Sequence, residues 1–161
     1  MLIIAAHHTS NWDLLFLVAA AWHLDLPINF LAKDSLFNPL LGPLMRGLGG
    51  LPVDRSEPHH LVDKLAAQIT SEHQCALVVP PSGTRSYRDY WKSGFYRIAQ
   101  AASIPVVCGY LDYARREAGL GLSFDLTGNL TEDMDRIRDF YAPITPCHPP
   151  QAARIRLRDE D

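Results

Sequence analysis

Short, strongly β-prone apolar runs alternate along this chain with segments of helical period, and that alternation constrains the fold more than any other feature. Residues 2–6, 28–32, 76–79 and 104–110 are apolar stretches ended by polar residues, glycine or proline, the pattern of buried strands. Between them, residues 11–23 read as a helix that Asn11 can cap, with Asp13 in its first turn. Residues 60–71 carry Leu61, Leu65, Ala66 and Ile69 at helical spacing, and residues 90–102 read as a further helix. This order predicts an α/β fold with a mixed, mainly parallel sheet flanked by helices. Functional groups in such sheets gather in loops beyond the carboxyl ends of the strands.

The remaining punctuation fills in the outline. Pro39 and Pro43 break residues 36–48 into short helical turns. Gly49 and Gly50 precede a short extended piece, residues 51–53. Residues 120–126 alternate as a half-exposed strand would, and residues 131–141 read as a last helix with Thr131 as cap and an acidic first turn. A single domain over residues 1–142 is expected. The proline-bearing segment 143–161 is expected to be a loosely ordered tail.

Bulk properties exclude several classes of function. A net charge of −3 gives neither the basic footprint of a nucleic-acid binder nor a polybasic membrane anchor. The apolar run 14–21 is too short to span a bilayer, and the opening residues lack the pattern of a signal peptide. They read as a strand with no lead-in, as in a short family form. Cys75, Cys108 and Cys147 match no metal or redox spacing, so Cys75 and Cys108 read as small buried hydrophobes in a reducing compartment. His59 and His60 have no carboxylate or cysteine at ligand spacing, so no metal site is expected there.

Chemistry concentrates in three loops. In HHTSNWD, where the first strand gives way to the first helix, His8 and Asp13 are five residues apart. On a regular helix that spacing would turn them roughly 140° apart, so only a turning loop can bring them together. Asp13 could then orient the imidazole of His8 and leave its other nitrogen as a base toward a hydroxyl. Read alone, such a pair is more often a helix-start carboxylate beside a satisfied loop histidine. In GGLPVDRS, glycines permit a tight turn ahead of Asp54 and Arg55. In VVPPSGTRS, Gly83 permits an unusual turn from which Arg85 emerges as a planar donor for phosphate. Each arginine taken alone reads as a surface residue. Ser10 and Ser82 lack the G-x-S-x-G setting of an acyl-serine hydrolase.

Taken in order, HHTSNWD, GLPVDR, PSGTRS and IPVV resemble the four sequence blocks of the glycerolipid acyltransferase family, typified by lysophosphatidate (1-acylglycerol-3-phosphate) acyltransferases. The resemblance runs from about residue 3 to residue 110. SYRDYWKSGFYRIAQAASIPVV and LTGNLTEDMDRIRDFYAP look like a compact bacterial branch of it. It implies a glycerol-3-phosphate acyltransferase-like fold and transfer of an acyl chain from acyl-CoA or acyl carrier protein to a lysophospholipid hydroxyl. His8 matches the family's catalytic base and Asp13 its orienting carboxylate. Gly50, Asp54 and Arg55 match the second block, and Ser82, Gly83, Thr84 and Arg85 the third, whose arginine holds the acceptor phosphate. The acyl donor is a co-substrate, and neither a cofactor nor a metal is implied.

Two positions depart from the family pattern. Ser82 stands where the third block carries glutamate, and His7 where proline or asparagine is common. The first departure leaves an alternative open, a catalytically weakened lipid-binding or scaffold member of the same fold. Lipid substrates also imply peripheral membrane contact, so the expected location is cytoplasmic, on the inner face of the membrane. The apolar helix 14–22 is a candidate lining for an acyl groove.

Overall fold

A computed structural model describes residues 1–53, 62, 63, 65–67, 69 and 76–160 of the chain. Among these residues, β1 (Leu2–Ala5), β2 (Ile28–Lys33), β3 (Gly50–Val53), β4 (Ala76–Val79), β5 (Val106–Asp112) and β6 (Glu117–Phe124) form one sheet. Its order is β3-β2-β4-β1-β5-β6. The first five strands run parallel, and β6 closes the edge antiparallel to β5. The helices beside it include α1 (Trp12–His23), α2 (Gly42–Gly47), α3 (Gly94–Ala102) and α4 (Leu130–Tyr141). The described residues between 62 and 69 are also helical. The expected mainly parallel α/β sheet is what forms.

Parallel strands covered on both faces must be apolar at every position, and β1 and β4 are. Leu2 and Ile4 point to one face, against Phe95 and Ile98 of α3 and Met134 and Ile137 of α4. Ile3 points to the other, with Phe30, Val78 and Val107, where Leu14 and Leu17 of α1 and Met45 of α2 pack. Each such side chain contributes roughly 1.5–3 kcal/mol when fully buried. Tyr141 ties helix to sheet, its hydroxyl facing the carbonyls of Ile4 at 3.0 Å and Gly109 at 2.8 Å.

Four local expectations are corrected. The side chain of Asn11 makes no capping bond; Ser10 Oγ instead accepts from the Trp12 amide at 3.2 Å. Asn129, rather than Thr131, caps α4 by accepting from the Glu132 amide. Residues 90–93 are not helical. The amide of Trp91 donates to Arg156 O and that of Lys92 to Pro81 O, which fastens this stretch to the closing segment and to the third-block loop. Segment 143–160 is not a loose tail. It carries two 3-10 turns, Pro149–Gln151 and Arg158–Glu160, and Leu157 is fully buried in the core. None of the described helices is long and apolar enough to cross a membrane.

Candidate active site

The order of the sheet places the carboxyl ends of β4, β1 and β5 side by side, and three loops meet there. β1 leads into HHTSNWD, β4 into PPSGTRS, and β5 into the turn that carries Tyr113.

Within the first loop the chain bends so that His8 Nδ1 lies 3.1 Å from Asp13 Oδ2. The same oxygen accepts the amides of Thr9 at 2.8 Å and Ser10 at 2.9 Å. The other oxygen, Oδ1, accepts the hydroxyl of Tyr113 at 2.7 Å. Asp13 is buried. Burial alone would raise its pKa, but the bonds from His8, Tyr113, Ser10 and Thr9 outweigh it and hold the carboxyl below its ordinary value. An ionised carboxylate only accepts, so His8 carries a hydrogen on Nδ1, and in the neutral imidazole Nε2 is then the nitrogen with the lone pair. Among the described residues Nε2 makes no hydrogen bond, and the His8 side chain is 26% exposed. His7 turns the other way. Its ring meets Tyr141 edge-on at 5.8 Å, and burial lowers its pKa.

The third-block loop lies next to the first. Ser82, at the glutamate position of the resemblance, is buried, and its hydroxyl donates to Thr84 O at 2.8 Å. The loop therefore closes on itself instead of offering a carboxylate. Gly83 sits at φ +63°, and a Cβ there would come within 3.0 Å of Lys92 Cε. Lys92 thus lies across the loop. Arg85 is exposed, with no ion pair or hydrogen bond to its side chain among the described residues. Ser82, Gly83 and Thr84 form one wall of an open groove of about 610 Å³ whose other residues include Arg88, Asp89, Lys92 and Arg158.

Gly50 is not brought to these loops. Strand register sets it level with Phe30, Val78 and Ile3, three strands from β1, or roughly 14 Å at strand spacing. A Cβ there would lie 2.7 Å from Met45 O, so glycine at this point lets α2 approach the sheet. Asp54 and Arg55 lie outside the described residues, as do His59, His60 and Cys75.

Sequence reasoning missed Tyr113 and the closing segment. The His148 amide donates to Thr9 Oγ1 at 3.2 Å. Oriented by its neighbours, the Gln151 amide nitrogen donates to Arg85 O at 3.0 Å and Thr9 O at 3.1 Å. Gln151 therefore links the first and third loops. A lone tyrosine and a lone glutamine far from any motif carry no signal in the sequence.

Comparison with known proteins matches residues 1–111 to the family described as Acyltransferase. A 1-acyl-sn-glycerol-3-phosphate acyltransferase of Streptococcus pneumoniae (strain ATCC BAA-255 / R6) is 29% identical over 106 residues, covering 65% of this chain. The chain spans 39% of that relative's length. No solved structure matches.

Proposed function

The chain belongs to the acyltransferase family, and from that premise we propose that it moves an acyl group from a thioester donor, acyl-CoA or acyl carrier protein, to a lysophospholipid hydroxyl. The observation that carries this reading is the 3.1 Å His8–Asp13 pair, which lies within the matched region and leaves Nε2 open.

In this reaction His8 is the general base and Asp13 its orienter. The hydroxyl proton of the acceptor passes to Nε2 as its oxygen attacks the thioester carbonyl carbon. The tetrahedral intermediate then collapses, the carbon–sulfur bond breaks, and the departing thiolate takes the proton from the imidazolium. Asp13 stays ionised throughout and stabilises that imidazolium. Proton transfer through His8, with Asp13 as its counter-charge, meets the needs of this chemistry without a metal or cofactor.

Arg85 is assigned to the acceptor phosphate, beside Ser82, Gly83 and Thr84. The cations of the adjoining groove, Arg88, Lys92 and Arg158 against the single carboxylate of Asp89, favour an anionic ligand on the same side.

Membrane contact at the inner face of the membrane is part of the same reading. α1 and α2 cover one face of the sheet and turn apolar side chains outward: Trp12, Leu15, Phe16 and Trp22 from α1, with Leu40, Leu41 and Leu44 at α2. Aromatic and leucine side chains on an outer face suit the interface of a bilayer that holds the lipid substrate.

The test is consumption of acyl-CoA with a panel of lysophospholipids, comparing the native chain with His8→Ala. Loss of turnover in the variant is expected. Turnover at the native level would overturn the mechanism. A second reading, a weakened lipid-binding member, is favoured by Ser82 closing onto Thr84 where a carboxylate would stand. It gains if Ser82→Glu creates turnover that the native chain lacks.

A further inference from the structure

We propose that Tyr113 is a positioning residue for the His8–Asp13 pair, holding the plane of the carboxylate that faces the imidazole. The proposal rests on the acyl-transfer reading for its catalytic consequence, while its geometry stands independently.

A carboxylate turns through a broad, nearly two-fold torsion, so its plane is set by the partners along its two edges. Here they differ. Oδ2 accepts from His8 and from the amides of Thr9 and Ser10. Oδ1 faces the Tyr113 hydroxyl. Without that hydroxyl, Oδ1 would lose this donor within a buried residue, at the cost of an unsatisfied polar atom. Rotation of the carboxylate would then compete with the bond to His8.

Tyr113 is itself held firmly. Its amide donates to Thr145 O at 2.9 Å, and its ring meets Phe16 edge-on at 6.1 Å. The turn that presents it is shaped by Asp112, whose Oδ1 accepts the amides of Ala114 and Arg115 at 3.0 and 3.1 Å. Burial and the adjacent carboxylate push ionisation of the phenol well up, so it remains a donor across the neutral range. The ionised Asp13 can only accept, so the hydroxyl hydrogen must point to it.

The experiment is a double-mutant cycle in the full chain. Tyr113→Phe keeps the ring and its contact with Phe16 while deleting the hydroxyl. It should lower kcat about ten-fold and change acceptor KM by less than about two-fold. In an Asp13→Asn background the same change should cost less than about two-fold, because its effect passes through Asp13. Tyr113→Leu is the second variant and should give the same non-additive result. Equal costs in both backgrounds, or native kcat in Tyr113→Phe, would overturn the proposal. A readout independent of turnover is the His8 Nδ1–H proton resonance, expected to be protected in the native chain and broadened in Tyr113→Phe. An unchanged resonance overturns the proposal. An inactive native chain that still shows the broadening would sink the acyl-transfer reading and leave the positioning role standing.

Discussion

The backbone amide of His148 donates to the side-chain oxygen of Thr9 at 3.2 Å, fastening the last segment of the chain to the loop that holds His8. That segment is anchored in turn by Leu157, which is fully buried. Leu157→Ala should cost about 3 kcal/mol of stability, since a buried leucine truncated to alanine leaves a cavity as well as losing transfer energy. Urea denaturation measures it. A cost below about 1 kcal/mol would show that the segment contributes little to the core.

Asp13→Asn should lower kcat by roughly 10²–10⁴-fold, because the amide no longer favours the imidazole tautomer with hydrogen on Nδ1. It should also flatten the acid dependence of stability. The folded pKa of Asp13 lies below its ordinary value of 3.8. Stabilisation from the ionised form is therefore complete above that value and is lost as pH falls through the folded pKa. Denaturation midpoints of the native chain should thus fall more steeply below about pH 4 than those of Asp13→Asn. Parallel curves would contradict the hydrogen-bond account of this carboxylate.

Gly83→Ala places a Cβ at φ +63° and within 3.0 Å of Lys92 Cε. We expect a loss of about 1–2 kcal/mol from backbone strain, with the lysine stem displaced. Thermal unfolding reads the first effect. An alanine variant as stable as the native chain would mean that the loop relaxes freely.

Lys92→Met removes one charge from the groove beside the third-block loop while keeping much of the stem's volume. KM for a phosphate-bearing substrate should rise several-fold, with kcat changing less, and the difference should shrink at high salt. Measuring KM separately for acyl-CoA and for the lysophospholipid identifies which phosphate the groove serves. If neither KM moves, the groove is not a substrate surface.

Trp22→Ser combined with Leu40→Ser removes two of the most exposed apolar side chains, 72% and 86% accessible. Co-sedimentation with phospholipid vesicles should drop at least several-fold while the unfolding temperature stays nearly constant, because neither residue belongs to the core. Unchanged vesicle binding would move the membrane surface elsewhere.

The sequence by itself determined the layer architecture and the His8–Asp13 loop. Both depend on local information: apolar runs long enough only for strands, and a five-residue spacing that a strand-to-helix turn can close. Leu2, Ile3 and Ile4 were legible as a strand buried on both faces because every position in it is apolar. Helix starts were less legible. Ser10, Asn11, Asn129 and Thr131 are all competent caps, and packing chose between neighbours.

Tertiary structure decided what depends on partners distant in the chain. Residues 90–93 read as helix yet lie outside α3, where the Trp91 and Lys92 amides bond Arg156 O and Pro81 O, partners that the local sequence does not name. Prolines made segment 143–160 read as loose, whereas Leu157 draws it into the core and Gln151 spans two loops. Tyr113 meets Asp13 across 100 positions of sequence. No periodicity or motif spacing encodes such a contact. It exists only once β1 and β5 lie side by side in the sheet and bring their carboxyl ends together.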